Sequence, residues 1–137
     1  MSKKGWVVSG LLACLVPMAA SAASQADRLA RFQRFAGPPV ERMHYYNLIG
    51  FENLGDNTVA VWTGVNRAWL IRVKEPCPRF NFANALGLTQ SMAHVFSKRF
   101  DAVDVGDIRC MVKSIRPVDM KAMHRAGRAA QSASGAT

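Results

Sequence analysis

Apolar residues at every second position fill most of the middle of the chain, and turn-forming residues separate the runs in which they occur. In residues 67–73, for example, Trp69, Ile71 and Val73 hold alternate positions, which places their side chains on one face of a strand. Gly and Asn bound such runs, as is typical of an antiparallel sheet. We predict strands over residues 44–54, 58–63, 67–73, 91–96, 100–105 and 108–116.

A helical spacing precedes these strands. Leu29, Phe32 and Phe35 recur near the helical period, Ser24 stands where it could cap the first turn, and Gly37 ends the pattern. Residues 79–89 contain Asn81, Asn84 and Gly87, which favour a loop or a helical turn, and their conformation is left open. The patterns together predict an α+β, mostly β fold: one N-terminal helix and about six antiparallel strands that form a curled sheet or a partly open small barrel.

The start of the chain has the pattern of an export signal. Lys3 and Lys4 precede a nearly uninterrupted apolar stretch, and small residues up to Ala22 suit signal peptidase. We predict a signal peptide over residues 1–22 and a periplasmic or secreted protein. The alternative is a lipoprotein acylated at Cys14. The stretch is shorter than the roughly 20 residues that cross a bilayer, so no transmembrane span is expected.

The remaining residues suffice for one domain. We predict a single β-rich domain over residues 23–120. Residues 121–137 are rich in Ala and Ser and contain three cations and no acid, so they are predicted to be a disordered tail.

Two cysteines remain after the predicted signal peptide. Cys77 and Cys110 would meet an oxidising compartment, which predicts one disulfide between them; two separate buried thiols are the alternative. Closing such a loop contributes roughly 3 to 4 kcal/mol in the chain-entropy model. His44, His94 and His124 are scattered and no C-x-x-C spacing occurs, so neither a metal nor a cofactor is expected.

The charge of the chain is strongly positive, with 18 Lys and Arg against 9 Asp and Glu. Such a balance favours anionic partners. Export disfavours nucleic acid and favours anionic envelope lipid or polysaccharide. A solvated helix face would show the same row of cations as a binding surface. The candidate anion-binding residues are Arg28, Arg31 and Arg34 in the predicted helix and Lys121, Arg125 and Arg128 in the predicted tail.

Several short motifs carry a resemblance to a known family. On them, residues 29–119 resemble a group of small exported proteins of Gram-negative bacteria that is catalogued only as a domain of unknown function. The resemblance implies a β-rich exported domain with one disulfide, and it brings no catalytic residue with it. The motifs are Phe35-Ala36-Gly37, Trp69-Leu70-Ile71-Arg72-Val73, Pro76-Cys77, Phe100-Asp101, Cys110-Met111-Val112 with Ile115, and Val118-Asp119.

The sequence contains no nucleophile elbow, phosphate loop or dinucleotide fingerprint, so a non-enzymatic role is favoured. We predict a binding or accessory module of the cell envelope with anionic envelope components as ligands. The alternative is a small hydrolase or transferase that acts on envelope polymers, with His94 and Asp101 or Asp104 as acid and base. Against it, His94 alternates with Met92 and Phe96, which predicts a half-buried histidine in a strand.

Overall fold

Eight strands and two helices follow one another in the part of the chain that the computed structural model describes, which is residue 10 and residues 20–134. Most of the predicted signal peptide, including Cys14, lies outside these described residues. The elements are α1 Ala20–Arg34, β1 Arg42–His44, β2 Gly50–Gly55, β3 Thr58–Gly64, β4 Arg67–Val73, a 3-10 helix Phe80–Phe82, β5 Gly87–Leu88, β6 Val95–Ser97, β7 Ala102–Val105, β8 Ile108–Val118 and α2 Met120–Ser134.

Six of the strands form an antiparallel sheet that curls into a half-barrel, in the order β2-β3-β4-β8-β7-β5. This confirms the predicted curled sheet with an N-terminal helix. The 11-residue strand β8 lies at the centre and pairs with β4 on one side and β7 on the other. Strands β1 and β6 pair with each other in a separate two-stranded sheet.

Two hairpin turns depend on backbone conformations that glycine and asparagine tolerate. Asp56 and Asn57 have φ angles of 52° and 51° between β2 and β3, and Gly106 has a φ of 61° between β7 and β8. Both central residues of the first turn are left-handed, which suits the twist of a tight hairpin. These turns lie between the strands predicted over residues 44–54 and 58–63 and over residues 100–105 and 108–116, where Gly and Asn bound the runs.

The central strands bury side chains on both faces of the sheet. On one face, residues such as Val59 and Ile71 pack with Phe80 and Phe96 in what we call the first core. On the other face, β3 and β4 pack against both helices in the second core. The buried residues of the second core are Phe32, Leu54, Ala60, Ala68, Leu70, Val118, Met120 and Met123.

The end of the chain differs from its sequence-based prediction. The composition of residues 121–137 predicts disorder, whereas the structure has helix α2 over Met120–Ser134. Met120 and Met123 are buried in the second core, and Asp119 accepts a hydrogen bond from the Ala122 N–H at 3.0 Å. The prediction considered composition and overlooked two methionines three residues apart, which share a helix face, and an aspartate in N-cap position.

Smaller differences concern the ends of elements. Helix α1 begins at Ala20, so Ser24 lies inside it and does not cap it. The segment left open, 79–89, forms the 3-10 helix and β5, and Phe80 is its fully buried anchor. The predicted strand over 44–54 divides into β1 and β2, which belong to different sheets. In the described residues, no helix is long and apolar enough to span a bilayer.

Candidate anion-binding site

Protein groups engage two of the three predicted α1 cations. Arg28 forms an ion pair with Glu52 of β2. Arg31 Nη2 donates a hydrogen bond to the Met123 carbonyl of α2 at 3.2 Å. Gly127 leaves room for this contact, because a Cβ atom at that position would lie 2.6 Å from Arg31 Nη2. Arg28 and Arg31 therefore hold α1 to its neighbours.

Arg34 differs from the other two in its partners. Like Arg31, it is exposed and lines a groove of about 450 Å³ between α1 and α2 together with Phe35, Ala126 and Gly127, but the ion pair and the hydrogen bond given above engage Arg28 and Arg31. The three α1 arginines therefore do not act as one row, although their spacing in the sequence suggests it.

The predicted cations of the tail lie on one flank of α2. Lys121, Arg125 and Arg128 are exposed at positions i, i+4 and i+7, which follow a single helix face. Together with His124 and Asn66, they line a depression of about 320 Å³. We call Lys121, Arg125 and Arg128 the α2 cationic flank.

Among the described residues, no ion pair engages the α2 cationic flank. The described residues that line its depression include no acid. Within residues 20–134, the ion pairs engage other arginines, namely Arg28, Arg72 and Arg109. An anion that approaches this flank therefore meets several cationic side chains without competition from a carboxylate.

Backbone hydrogen bonds fix where α2 leaves the sheet. The Gly37 N–H donates to the Pro117 carbonyl at 2.7 Å, and the Asp119 N–H donates to the Phe35 carbonyl at 2.8 Å. Arg116 Nε also donates to the Gly37 carbonyl at 2.9 Å. The motifs Phe35-Ala36-Gly37 and Val118-Asp119, which carry the family resemblance, are thus bonded to each other in what we call the junction. The junction fixes the start of α2, so that the α2 cationic flank lies beside Asn66 of the β3–β4 turn.

The β3–β4 turn adds an apolar tip beside these cations. Val65 is 87% exposed, and its neighbour Asn66 lines the depression of the α2 cationic flank. Neither Asn66 nor His124 is among the anion-binding residues predicted from the sequence. His124 could have been found from its helical spacing to Lys121, but the approach of Asn66 is non-local and has no sequence signal.

Asp101 has a buried, structural environment. Its side chain is 1% exposed. Oδ2 accepts hydrogen bonds from the Ser97 N–H at 2.7 Å and the Ser91 hydroxyl at 3.0 Å, and Oδ1 accepts from the Ser91 N–H at 2.7 Å and the Thr89 hydroxyl at 2.9 Å. Burial raises the pKa of Asp101, but these hydrogen bonds outweigh burial and hold the pKa below its ordinary value.

His94 occupies a tight turn, which corrects the prediction of a half-buried strand residue. The Val95 N–H donates to the Met92 carbonyl at 3.1 Å and closes the turn, where His94 has a φ of 60°. The imidazole is exposed and its centroid lies 4.7 Å from that of the Tyr46 ring. Alternation with Met92 suggested a strand, but the strand begins only at Val95.

The structure does not join His94 to the aspartates as an acid and base. Among the described residues, no hydrogen bond connects its imidazole to Asp101 or Asp104. Asp104 binds Arg109 through both carboxylate oxygens, at 2.8 and 3.2 Å, and these hydrogen bonds hold the pKa of Asp104 below its ordinary value.

The predicted disulfide is confirmed. Cys77 and Cys110 are bonded, and both are buried. The bond ties the segment after β4 to β8. Within the described residues, no group of three or more His, Cys, Asp or Glu side chains is placed to hold a metal ion.

Comparison with known proteins gives a family and no activity. A family model described as "Family of unknown function (DUF6491)" matches residues 3–134. Neither the curated proteins nor the solved structures contain a match to the chain. The matched residues include the junction at Gly37 and Asp119, the disulfide and the α2 cationic flank. Because the match covers nearly the whole sequence, this β-rich protein with one disulfide belongs to the DUF6491 family of unknown function.

Proposed function

We propose that this protein is a non-enzymatic module of the cell envelope that docks on anionic lipid headgroups through the α2 cationic flank. The observation that carries the proposal is the depression beside Asn66, which is lined by Lys121, His124, Arg125 and Arg128 and by no acid. Phosphate oxygens of a headgroup layer are suitable partners for such exposed cations.

The expected affinity is modest and electrostatic. Each Lys or Arg near an anionic lipid surface contributes about 1 kcal/mol, so three such residues contribute roughly 3 kcal/mol. Arg28 and Arg31 of α1 add less to docking, because Arg28 pairs with Glu52 and Arg31 donates its hydrogen bond to the Met123 carbonyl. The proposal therefore assigns docking to α2 and not to the net charge of the whole molecule.

The apolar tip of the β3–β4 turn favours lipid over polysaccharide as the anionic partner. Val65 is exposed to solvent and is the chain neighbour of Asn66, which lines the cationic depression. A headgroup layer offers phosphates to the cations and an apolar phase beneath them, where burial of a valine side chain contributes about 1.5 kcal/mol. A polysaccharide offers charge without that apolar phase.

An exported location is part of the proposal. The disulfide between Cys77 and Cys110 is compatible with an oxidising compartment. The signal peptide over residues 1–22 and the periplasmic or secreted location stay predictions from the sequence. Intact-mass analysis of the protein from a periplasmic extract would give its N-terminus. A mass that includes a lipid on Cys14 would favour the alternative, a lipoprotein acylated at Cys14.

Co-sedimentation with vesicles tests the proposal. The purified protein is mixed with phosphatidylcholine vesicles with and without phosphatidylglycerol. The variant K121Q/R125Q/R128Q should lose affinity for the anionic vesicles by up to about 100-fold. The matched control R28Q/R72Q/R109Q removes three ion-paired arginines and the same net charge, and it should lose less than about 3-fold.

Salt provides the second arm of this test. Binding of the wild-type protein should weaken as salt rises from about 0.05 to about 0.3 M, because the Debye length falls from roughly 14 to roughly 6 Å. Equal losses in the α2 variant and in the matched control would show that net charge alone drives binding. That result would overturn the assignment to α2.

A further inference from the structure

A second group of cations lies at the other end of β4. Asn66 immediately precedes β4 and Lys74 immediately follows it. A strand of seven residues at about 3.3 Å per residue separates these two ends by roughly 23 Å. The group around Lys74 is therefore distinct in space from the α2 cationic flank.

This second group surrounds an exposed methionine. Lys74, Lys98 and Arg99 line a depression of about 270 Å³ with Met111, and Glu41 is the only acid among its lining residues. Lys74 also lines an adjoining depression of about 610 Å³ with Lys113, Arg72 and the acidic Glu75. Within the described residues, neither Arg99 nor any of the three lysines forms an ion pair. We call Lys74, Lys98, Arg99, Lys113 and Met111 the Met111 surface.

The backbone beneath the Met111 surface is well fixed. The Lys74 N–H donates to the Met111 carbonyl at 2.8 Å, and the Lys98 N–H donates to the Glu41 carbonyl at 2.9 Å. The disulfide from Cys77 to Cys110 joins the segment that contains Lys74 to the segment that contains Met111, since Cys110 is the neighbour of Met111. Cations from separate parts of the chain are therefore held together, which a merely solvated charge row does not require.

Apolar side chains accompany these cations, as Val65 accompanies the first group. Met111 is 46% exposed, and Phe100, the neighbour of Arg99, is 71% exposed. An exposed aromatic ring beside lysines and arginines suits the boundary between headgroups and acyl chains, where the ring is buried while the charges meet phosphates. The same pairing of cations with exposed apolar groups thus occurs at both ends of β4.

We infer that the Met111 surface is a second docking surface for anionic lipid headgroups, and that the protein bridges two lipid surfaces, one at each end of β4. In the proposed arrangement, one lipid layer contacts the α2 cationic flank and a second layer contacts the Met111 surface at the opposite end of β4. The bridging rests on the proposed function, whereas the second surface binds by its own residues.

Vesicle clustering tests the bridging. Vesicles that contain phosphatidylglycerol are mixed with the protein and their apparent size is followed by dynamic light scattering. The wild-type protein should cluster them, and K74Q/K98Q/K113Q should reduce clustering at least several-fold while it still co-sediments with vesicles. R28Q/R34Q/R109Q removes the same number of charges and is the matched control; it should cluster them like the wild type, because none of these arginines lines a depression of either surface. Clustering by K74Q/K98Q/K113Q at the wild-type level would overturn the inference.

Co-sedimentation of a combined variant separates this inference from the proposed function. K121Q/R125Q/R128Q should keep weak, salt-sensitive binding through the Met111 surface, and addition of K74Q/K98Q/K113Q should remove it. If the combined variant binds as well as K121Q/R125Q/R128Q, the second surface is refuted and the first stands. If K121Q/R125Q/R128Q binds like the wild type, the proposed function is refuted, and loss of that binding in K74Q/K98Q/K113Q would leave the Met111 surface as the docking site.

Discussion

The two ends of β4 carry similar surfaces on different supports. At the Asn66 end, the cations come from one helix, α2, whose sequence alone places them on one flank. At the Lys74 end, they come from the end of β4, the β6–β7 connection and β8, and they meet only after the sheet has formed. The first surface therefore depends on helix formation and docking, and the second depends on the contacts that join distant segments.

The disulfide should produce the largest difference between the two ends. C77A/C110A should lower the free energy of unfolding by roughly 2 to 5 kcal/mol, because the bond constrains a long loop of the unfolded chain. Urea unfolding measures this change. Under conditions where the variant stays folded, vesicle clustering should fall more than co-sedimentation, because the bond underlies the Met111 surface. Unchanged stability, or equal losses in the two vesicle assays, would contradict the comparison.

The buried carboxylate of Asp101 should give the next largest effect. Asp101→Asn replaces an acceptor oxygen with an amide that faces N–H and hydroxyl donors, so we expect a loss of about 2 to 4 kcal/mol in the free energy of unfolding. Asp107→Asn, in the exposed β7–β8 turn, is the matched control and should change stability by less than about 0.5 kcal/mol. Similar losses in both variants would indicate a general charge effect.

The same carboxylate predicts a pH dependence. The folded-state pKa of Asp101 is lowered, so its contribution to stability is present above the unfolded pKa of about 3.9 and is lost as the pH falls through the folded value. The stability gap between the wild type and Asp101→Asn should be full near neutral pH and should shrink in acid. Urea unfolding of both proteins over a pH series measures this difference in stability. A difference that stays constant into strong acid would contradict the claim that the Asp101 carboxylate is ionised in the folded protein.

Arg31 should give the smallest effect, and it concerns the support of α2. Arg31→Gln removes the hydrogen bond to the Met123 carbonyl and should cost about 0.5 to 1.5 kcal/mol of stability. Affinity for anionic vesicles should fall less than about 3-fold, because the Arg31 side chain is engaged by its hydrogen bond to the Met123 carbonyl. Arg34→Gln, its exposed neighbour, should leave stability within about 0.5 kcal/mol. A larger loss of affinity in Arg31→Gln than in Arg125→Gln would reverse our assignment.

Local patterns in the sequence predicted the strands that are framed by turns. Strand β4 has the predicted bounds, and Ile71 and Val73 both lie in the first core, because turn residues precede it and alternation runs its full length. The half-barrel and the disulfide also agree with the predictions. These features depend on residues close in the sequence or, for Cys77 and Cys110, on the expectation that Cys14 is removed with the predicted signal peptide.

The candidate surfaces could be predicted only in part. Charge identifies Lys121, Arg125 and Arg128 in the sequence. Composition alone conceals their helix, whose local signals are the Asp119 cap and the spacing of Met120 and Met123, and whose docking places Met123 in the second core. The approach of Lys98 to Lys74 has no local signal at all, since it follows from the pairing of segments far apart in the chain. Non-local packing also places Phe80 in the first core, although the local sequence of residues 79–89 does not predict a buried element.

The outer strands of the half-barrel have a consequence for crowding on a lipid surface. Unpaired strand edges attract edges of other molecules and start aggregation. Strand β5 presents only Gly87–Leu88, and α1 contacts β2, where Gln25 Nε2 donates to the Asn53 carbonyl at 3.4 Å and Arg28 pairs with Glu52. Many copies gathered on one membrane by their cations would therefore stay separate molecules, because their sheets offer little backbone for a neighbour to join.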